Sequence, residues 1–397
     1  MPKNPELWLK SGADRRLRQG HAWIYSNEID SKRSPLSYFQ AGDIADVCAA
    51  SGDTLATAYL EPHSLICARL VSRDGGVALD RDWFLPRLDA ALALRQRYFA
   101  TPFYRLLYGD SDGVSGVVVD RFGDYLVLQL NTAGAERHGQ IFVDGLAERL
   151  TPKGILLRAD SRSRREQGLA DRVEVVFGEV PEMVTLEENG VRFLAPLHGG
   201  QKTGWFYDHR DSRARLASVC QGKRVLDVYS YVGGWGLQAA VAGADQVHCV
   251  DNSASALDCL VQSAALNAVD KLVHTHQGRA DITLRALAES EQRFDVVVLD
   301  PPAFVQRKRD LGKGKKAYQR INALALELLN PDGVLVSASC SMHLSEADLN
   351  DAVAQAARKL HRQLRQTWRG SQGADHPVHP VIAETRYLKA LFYDLMP

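Results

Sequence analysis

Short alternating runs open the chain. Leu7-Trp8-Leu9-Lys10, Ile44-Ala45-Asp46-Val47 and Leu65-Ile66-Cys67-Ala68-Arg69-Leu70 are strand-like, and Ser11-Gly12, Ala41-Gly42-Asp43 and Ser51-Gly52-Asp53 punctuate them. This predicts a small β-rich domain over 1–74, closed by the turn Asp74-Gly75-Gly76. The period then changes. Trp83, Leu85, Leu88, Ala91, Leu92 and Arg95 suit an amphipathic helix of about four turns. Runs at 116–120 and 125–130, joined by Arg121-Phe122-Gly123-Asp124, read as a β-hairpin. A helix around 135–150 and strands near 154–158 and 173–177 complete a small α+β segment over 75–190.

From about 220 the rhythm is strand, turn, helix, repeated. Strands are expected at 224–227, 246–251, 272–274, 295–300 and 333–337, with a further one at 386–393. This alternation predicts an α/β domain over 191–397, with a parallel sheet covered on both faces.

Composition adds exclusions. With 397 residues, 45% hydrophobic and 24% charged, the chain is ordinary for a globular protein of two or three domains. No run approaches the ~20 apolar residues of a membrane span, and no signal peptide is visible at the start. Lys+Arg and Asp+Glu both number 48, so a wholly basic nucleic-acid binder is not indicated, although local patches are. The six cysteines form no C-x-x-C pair and no zinc spacing. A reduced cytoplasmic protein without a metal is expected.

In a doubly wound sheet, ligands bind beyond the carboxyl ends of the strands. Three of the expected strands end in Asp227, Asp251 and Asp300. One such Asp is an ordinary helix cap; three on one rim have no packing rationale. After Asp227 comes a Gly-rich turn that includes Ser230, Gly233 and Gly234 and lets a ligand approach the backbone. Gly234-Trp235-Gly236-Leu237-Gln238-Ala239 also matches the dinucleotide fingerprint, so a nicotinamide oxidoreductase is a competing reading. Its glycines lie several residues past the strand, however, and Asp-x5-Gly-Gly is the usual first motif of S-adenosylmethionine (SAM) methyltransferases. Asp251, flanked by Asn252 and Ser253, can accept both ribose hydroxyls of a nucleoside. Asp281 can accept from an adenine amine or cap a helix. Asp300-Pro301-Pro302-Ala303-Phe304 makes a stiff loop suited to holding a flat base.

Cys340 ends the fifth strand, in Ser339-Cys340-Ser341, on the same rim. Carbon 5 of a pyrimidine is a poor nucleophile. A thiolate added to carbon 6 makes carbon 5 enamine-like and able to attack a sulfonium methyl, and the thiolate then departs easily.

These residues resemble those of a known family, the PUA-domain-containing, SAM-dependent large-subunit ribosomal RNA cytosine-5 methyltransferases. The resemblance spans nearly the whole chain. Gly20-His21-Ala22-Trp23-Ile24-Tyr25 resembles the N-terminal PUA domain, and Asp110-Ser111-Asp112-Gly113 with Val119-Asp120-Arg121-Phe122 the central domain. Gln201-Lys202-Thr203-Gly204-Trp205-Phe206-Tyr207-Asp208-His209-Arg210 resembles the signature before the catalytic sheet. Asp300-Pro301-Pro302 and Ser339-Cys340-Ser341 resemble the catalytic motifs, and 375–378 with 384–389 the C-terminal hairpin. The resemblance implies a Rossmann-like class I methyltransferase sheet. In it, Asp227, Gly233, Asp251, Asp281 and Asp300 border SAM, and Tyr207, Asp208 and Arg210 close over its methionine end. Without the resemblance, 205–210 reads as a helix start capped by Asp208. One departure is Ala303, where many RNA cytosine methyltransferases carry a second cysteine that helps release product.

The segment 305–320 holds Arg307, Lys308, Arg309, Lys313, Lys315, Lys316 and Arg320 against one Asp, directly after the Asp300 motif. It reads as a basic loop, flexing at Gly312 and Gly314, that contacts RNA phosphates. Arg158, Arg162, Arg164 and Arg165 form a second cluster, and Arg15, Arg16 and Arg18 a smaller one. The expected function is formation of 5-methylcytosine in large-subunit ribosomal RNA through a Cys340 adduct. The other readings are methylation of another base, the oxidoreductase, and a non-catalytic RNA-binding or ribosome-assembly protein. A homodimer is left open.

Overall fold

The structure, a computed structural model, describes residues 4–396. The chain divides into two units. The first takes the chain up to Glu182, together with 197–205 and 374–385; the second takes 183–196, 206–373 and the chain from Arg386.

In the first unit, β1 (Glu6–Trp8), β2 (Trp23–Tyr25), β3 (Ile44–Cys48), β4 (Thr54–Leu60) and β5 (Ile66–Ser72) form a sheet in the order β1-β3-β4-β5-β2. The short helix α1 (Arg15–Arg18) joins the first two strands. Alternation sends Leu7, Val47, Ala58, Leu60 and Ala68 into one core. The strands β2, only three residues long, and β4, whose buried run 56–60 is rich in small alanines, are not among the runs named from the sequence.

The expected helix is α2 (Arg81–Tyr98), started by Asp80, whose carboxylate accepts from the Trp83 N–H at 2.9 Å. A second sheet follows: β6 (Phe103–Tyr108), β7 (Val117–Phe122), β8 (Tyr125–Leu130), β9 (Gly154–Ala159) and β10 (Arg172–Gly178), in the order β10-β9-β8-β7-β6. The helices α3 (Ala133–Arg137), α4 (Gly139–Leu150) and α5 (Arg162–Glu166) complete it. Phe84 and Leu88 of α2 pack with Phe142 and Leu146 of α4 and Val119 and Leu128 of the sheet. The stripe of α2 ends at a fully buried guanidinium. Arg95 donates to both Asp112 oxygens at 2.6 and 2.8 Å, to Arg105 O at 2.8 Å and to Asp375 O at 2.7 Å. That last bond ties the returning segment 374–385 into the unit, where Asp375 Oδ2 also accepts from the Arg105 N–H at 3.1 Å.

The second unit opens with a hairpin, β11 (Met183–Glu188) and β12 (Val191–Pro196). It turns at Asn189-Gly190, whose φ values of 53° and 77° suit the left-handed two-residue turn. The boundary expected between 190 and 191 therefore falls inside a hairpin turn. After α6 (Arg210–Ala217) the chain runs β13 (Arg224–Val228), α7 (Gly236–Val241), β14 (Gln246–Asp251), α8 (Ala254–Leu266), β15 (Val273–Gln277), α9 (Ala280–Glu289) and β16 (Phe294–Leu299). It continues through α10 (Leu311–Leu328), β17 (Leu329–Ser339), α11 (Glu346–Lys359), β18 (Leu364–Gly370) and β19 (Lys389–Leu395). The sheet order is β15-β14-β13-β16-β17-β19-β18. The first five are parallel, and β19 is antiparallel to both neighbours.

This is the expected Rossmann-like α/β sheet. Leu226, Val297 and Leu335 pack on one face against Leu284 of α9, Ile321 and Ala325 of α10 and Val353 of α11. The chain winds outward from β13 to β15, then returns to β16 on the other side. That reversal leaves a crevice at the carboxyl ends of β13 and β16. No helix among the described residues is long and apolar enough to cross a membrane.

Candidate active site

All site residues below belong to the second unit. After β13 the backbone enters the left-handed region at Tyr229 (φ 67°), Tyr231 (φ 50°) and Gly233 (φ 88°). Such backbone is costly for a residue with a Cβ and clusters at functional sites. It is held by hydrogen bonds: the N–H groups of Tyr229 and Ser230 donate to Val250 O at 2.8 and 3.1 Å, and that of Tyr231 donates to Asp251 Oδ2 at 2.9 Å. Gly233 meets a second demand, since a Cβ there would lie 2.7 Å from Leu260 Cγ. Gly234 is buried beside it. Gly236 of the apparent dinucleotide fingerprint serves packing, because a Cβ there would lie 2.7 Å from Cys249 Sγ.

Asp227 is fully buried. Its Oδ2 accepts from the Gly236 N–H at 2.8 Å, while Oδ1 and the buried Ser230 Oγ have no partner among the described residues. Burial pushes the Asp227 carboxyl up to about 7 against the Gly236 hydrogen bond, with Asp300 and Asp251 pushing the same way. Polar atoms left this way are costly. They fit a ligand that brings N–H or O–H donors, as SAM does with its ammonium and ribose hydroxyls.

Asp251 ends β14. Its Oδ1 accepts from the Ser253 N–H at 2.9 Å, so two backbone donors aim the carboxylate and each oxygen keeps a lone pair. Asn252 is exposed next to it. Asp281 is not the cap of α9; it lies in the first turn, bracketed by Arg279 Nε and Nη2 at 3.2 Å each. Burial raises the pKa of Tyr229 to about 12; Asp281 adds to this and Arg320 of α10 opposes it, which brings both charges close to the first turn of the crevice.

Asp300 follows β16 directly. Trp235 Nε1 donates to its Oδ2 at 3.0 Å, and His209 Nε2 lies 3.3 Å from its Oδ1. Sequence reasoning missed this pair; His209 is an unremarked residue of the 201–210 motif. The Asp300 and Cys340 motifs are tied together. β16 and β17 are neighbours with Leu299 opposite Ser337. The Val305 N–H donates to Ser341 Oγ at 3.2 Å, and Tyr318 Oη lies 2.7 Å from Ser339 Oγ and 3.1 Å from Ser341 Oγ. Phe304 packs on Tyr318 with ring centroids 4.9 Å apart. Cys340 is half-buried, whereas the other five cysteines are buried. Burial pushes the Cys67 and Cys220 thiols up to about 12.

Tyr207 and Asp208 fall in a single 3-10 turn before α6, and Arg210 starts that helix. All three are buried. Asp208 is not a helix cap: Tyr387 Oη donates to its Oδ2 at 2.6 Å. Arg210 Nε lies 3.6 Å from Glu188 Oε2, and Arg213 Nε lies 2.8 Å from Glu188 Oε1, which also accepts from Gln238 Nε2 at 2.9 Å. Glu188 thus anchors the guanidinium expected at the methionine end. The one sequence signal for it is its place directly before Asn189-Gly190.

The basic segment is not a flexing loop. It forms a 3-10 turn at Lys308–Asp310 and the first half of α10. Gly314 packs tightly, since a Cβ there would lie 2.2 Å from Val305 Cγ2. Lys313, Lys316 and Arg320 recur on one helix face and are exposed, as are Arg307, Lys308 and Arg309. Lys315 is spoken for, paired with Asp348 at 2.9 Å and Asp351 at 3.1 Å. In the first unit, Arg158, Arg162, Arg164 and Arg165 each pair with a carboxylate, Asp160, Glu166, Glu136 and Asp171, at 2.7–3.0 Å; Arg158 and Arg164 are buried and structural, whereas Arg162 and Arg165 are exposed. Arg16 and Arg18 likewise pair with Glu28 and Asp14.

The chain matches the model of a PUA-like domain over residues 7–73 and that of S-adenosylmethionine-dependent methyltransferases over 156–393. It is 38% identical over 390 residues to a protein of Aliivibrio fischeri named ribosomal RNA large subunit methyltransferase I, covering 96% of this chain and 97% of that one. Among solved structures, one described as a SAM-dependent methyltransferase from Streptococcus mutans superposes with a TM-score of 0.83 at 20% identity, over 98% of this chain and 100% of the other. A second methyltransferase structure, complexed with SAH, gives 0.84 at 20% identity over the same shares. At that identity the structural likeness speaks for the fold, whose crevice is the one described above. The chain therefore belongs to the PUA-domain-containing family of SAM-dependent methyltransferases, together with the proteins named ribosomal RNA large subunit methyltransferase I.

Proposed function

We propose that this protein methylates carbon 5 of a cytosine in large-subunit ribosomal RNA, in the cytoplasm, through a covalent Cys340 adduct. The substrate class is carried over from the relatives' name. The observation that carries the base and mechanism is Cys340, the one cysteine that is not buried, on a loop hydrogen-bonded to the loop after Asp300.

SAM, when bound, supplies an electrophilic sulfonium methyl. The chain's own residues do the rest. The unpartnered Asp227 Oδ1 and Ser230 Oγ accept from its donors, with Gly233 and Gly234 giving the backbone room, and Asp251 accepts from the ribose beside Asn252. Asp281 borders the adenine, and Tyr207, Asp208 and Arg210 close the methionine end. The Cys340 sulfur adds to carbon 6 of the base, and carbon 5 becomes nucleophilic. The Asp300 carboxylate, fixed by His209 and Trp235, hydrogen-bonds the base. Once carbon 5 carries a methyl group, its proton passes to water, the C–H electron pair re-forms the ring double bond, and the carbon 6–sulfur bond breaks with its pair left on the Cys340 sulfur. Ala303 offers no second thiol for that release. The basic face of α10 holds the RNA backbone. An interior base must be unstacked to reach Cys340.

Base-resolution methylation mapping of ribosomal RNA from cells with and without the protein tests this reading. A 5-methylcytosine that disappears with the gene is the expected result. Loss of methylation at a different base, or at none, overturns it.

A further inference from the structure

β19 begins at Lys389, whose Cα pairs with that of Ser339 across the antiparallel ladder. The side chain reaches over the end of β17: Nζ donates to Ser341 O at 2.7 Å and to Leu344 O at 2.6 Å. Cys340 lies between the residue opposite Lys389 and the first of these carbonyls. The lysine is thus pinned alongside the thiol's own backbone. Tyr318 of α10 holds Ser339 and Ser341 by their hydroxyls and fixes the same turn.

The titratable and charged groups around Nζ come from several elements. Cys340 is on the turn and Glu346 opens α11, while Tyr318 of α10 faces Cys340 itself. Arg369 of β18 lies 3.7 Å from Glu346 and partly answers its charge. Burial pulls the Lys389 amine down to about 8, with Cys340 and Glu346 pushing back. At about 8 the group is still mostly ammonium at neutral pH. The two carbonyls take two of its three N–H groups, and the third is the one left to face a thiolate.

We propose that Lys389 is the positioning residue that makes Cys340 reactive, its ammonium favouring the thiolate and holding it as an ion pair. The S–H bond breaks with its electron pair left on sulfur, and the proton passes to water. The ammonium keeps its own three protons, so charge and atoms balance with solvent as the one proton acceptor. The proposal rests on the reading of Cys340 as the nucleophile.

The test is the rate at which iodoacetamide alkylates Cys340 in the full chain, followed at that residue by mass spectrometry as pH is varied. Lys389→Gln keeps two N–H donors and removes the charge; Lys389→Arg keeps the charge. The expected result is a titration midpoint about one pH unit higher in Lys389→Gln, with alkylation at pH 7 about tenfold slower, and a midpoint near wild type in Lys389→Arg. A midpoint unmoved in Lys389→Gln overturns the proposal. Should Lys389→Gln fail to fold, as judged by circular dichroism, Lys389→Met decides on the same criterion; if it too fails to fold, the lysine is a fold anchor and the proposal is overturned. The readout needs no methylation, so it stands apart from the proposed function: a moved midpoint supports the lysine–thiol coupling even where Cys340→Ser keeps full methylation, a result that sinks only the adduct.

Discussion

Nε2 of His209 lies 3.3 Å from Oδ1 of Asp300, with both residues at the mouth of the β13–β16 crevice. Burial alone pulls the imidazole down, but the Asp300 charge and hydrogen bond, with Asp208 behind them, hold it above 6.5. Burial alone raises the Asp300 carboxyl, but the His209 charge and hydrogen bond, with the Trp235 indole, hold it below 3.8. The two shifts set opposite limits. The His209 contribution is complete below about 6.5 and is lost as pH rises through its raised value. That of Asp300 is complete above about 3.8 and is lost as pH falls through its lowered value. His209→Gln should cost about 3 kcal/mol at pH 6, and urea unfolding at pH 9 should show a smaller difference. Equal differences at both pH values would rule out the ion pair.

Asp227 carries the reverse sign. Its folded value of about 7 exceeds the ordinary 3.8, so the native state holds its proton more tightly. The stability of the SAM-free chain should fall as pH rises between about 4 and 7, then level off. Asp227→Asn keeps the acceptor for Gly236 and removes this loss. Its Tm should exceed wild type by about 5 °C at pH 8 and match it at pH 4, whereas added SAM should raise the wild-type Tm more.

Asp251→Ala should weaken SAM binding by about 1–3 kcal/mol, the scale of hydrogen bonds to a charged group. The structure adds a second effect. The variant also unpairs the Tyr231 and Ser253 N–H groups, so its thermal stability should drop too. Calorimetry that finds wild-type SAM affinity in the folded variant would remove Asp251 from the cofactor site.

On α10, neutralising Lys313, Lys316 and Arg320 together should weaken RNA binding and lower the slope of log affinity against log salt by about 2, some 0.7 for each lost contact with single-stranded phosphate. Lys315→Ala should hardly change the slope, because Asp348 and Asp351 already answer that charge. Filter binding between 50 and 200 mM salt, the range over which such contacts tell, separates the two. A slope that ignores the triple change would make this face merely solvated.

RNA carrying 5-fluorocytosine at the target should trap a covalent complex with wild type, since fluorine cannot leave as a proton does. Cys340→Ser should lose both adduct and methylation while still binding SAM. Near-normal turnover in Cys340→Ser would point to a ring or exocyclic nitrogen as the target instead.

The α/β sheet was legible because its central strands are continuous apolar runs, and the rim because three of them carry an aspartate at or next to the carboxyl end, Asp227 inside β13, Asp251 closing β14 and Asp300 just after β16. What stayed hidden is mostly polar. β18 is an edge strand, Leu-Arg-Gln-Thr-Trp-Arg-Gly, with no buried run to announce it. The Asn189-Gly190 turn was passed over for a domain boundary. The partners Glu188, His209 and Lys389 are distant in sequence from the groups they hold, and no local period records a long-range ion pair. Charge runs misled in both directions. Arg158 and Arg164 proved to be internal braces, with Arg162 and Arg165 in exposed ion pairs, and the stretch after Asp300 proved to be a helix whose spacing, once drawn at 3.6 residues per turn, sorts Lys315 from Lys313 and Lys316.

The bond from Arg95 to the carbonyl of Asp375 sets an order of events on the ribosome. The first unit is otherwise complete at Trp205, yet it needs 374–385, which emerge after about 170 further residues. At roughly 5–20 residues per second, that interval lasts on the order of ten to thirty seconds. Through it, the Arg95 guanidinium has Asp112 and Arg105 but lacks its last acceptor. The N-terminal half of the nascent chain therefore waits for its own C-terminus, and a fragment cut after Trp205 leaves the Arg95 guanidinium one acceptor short.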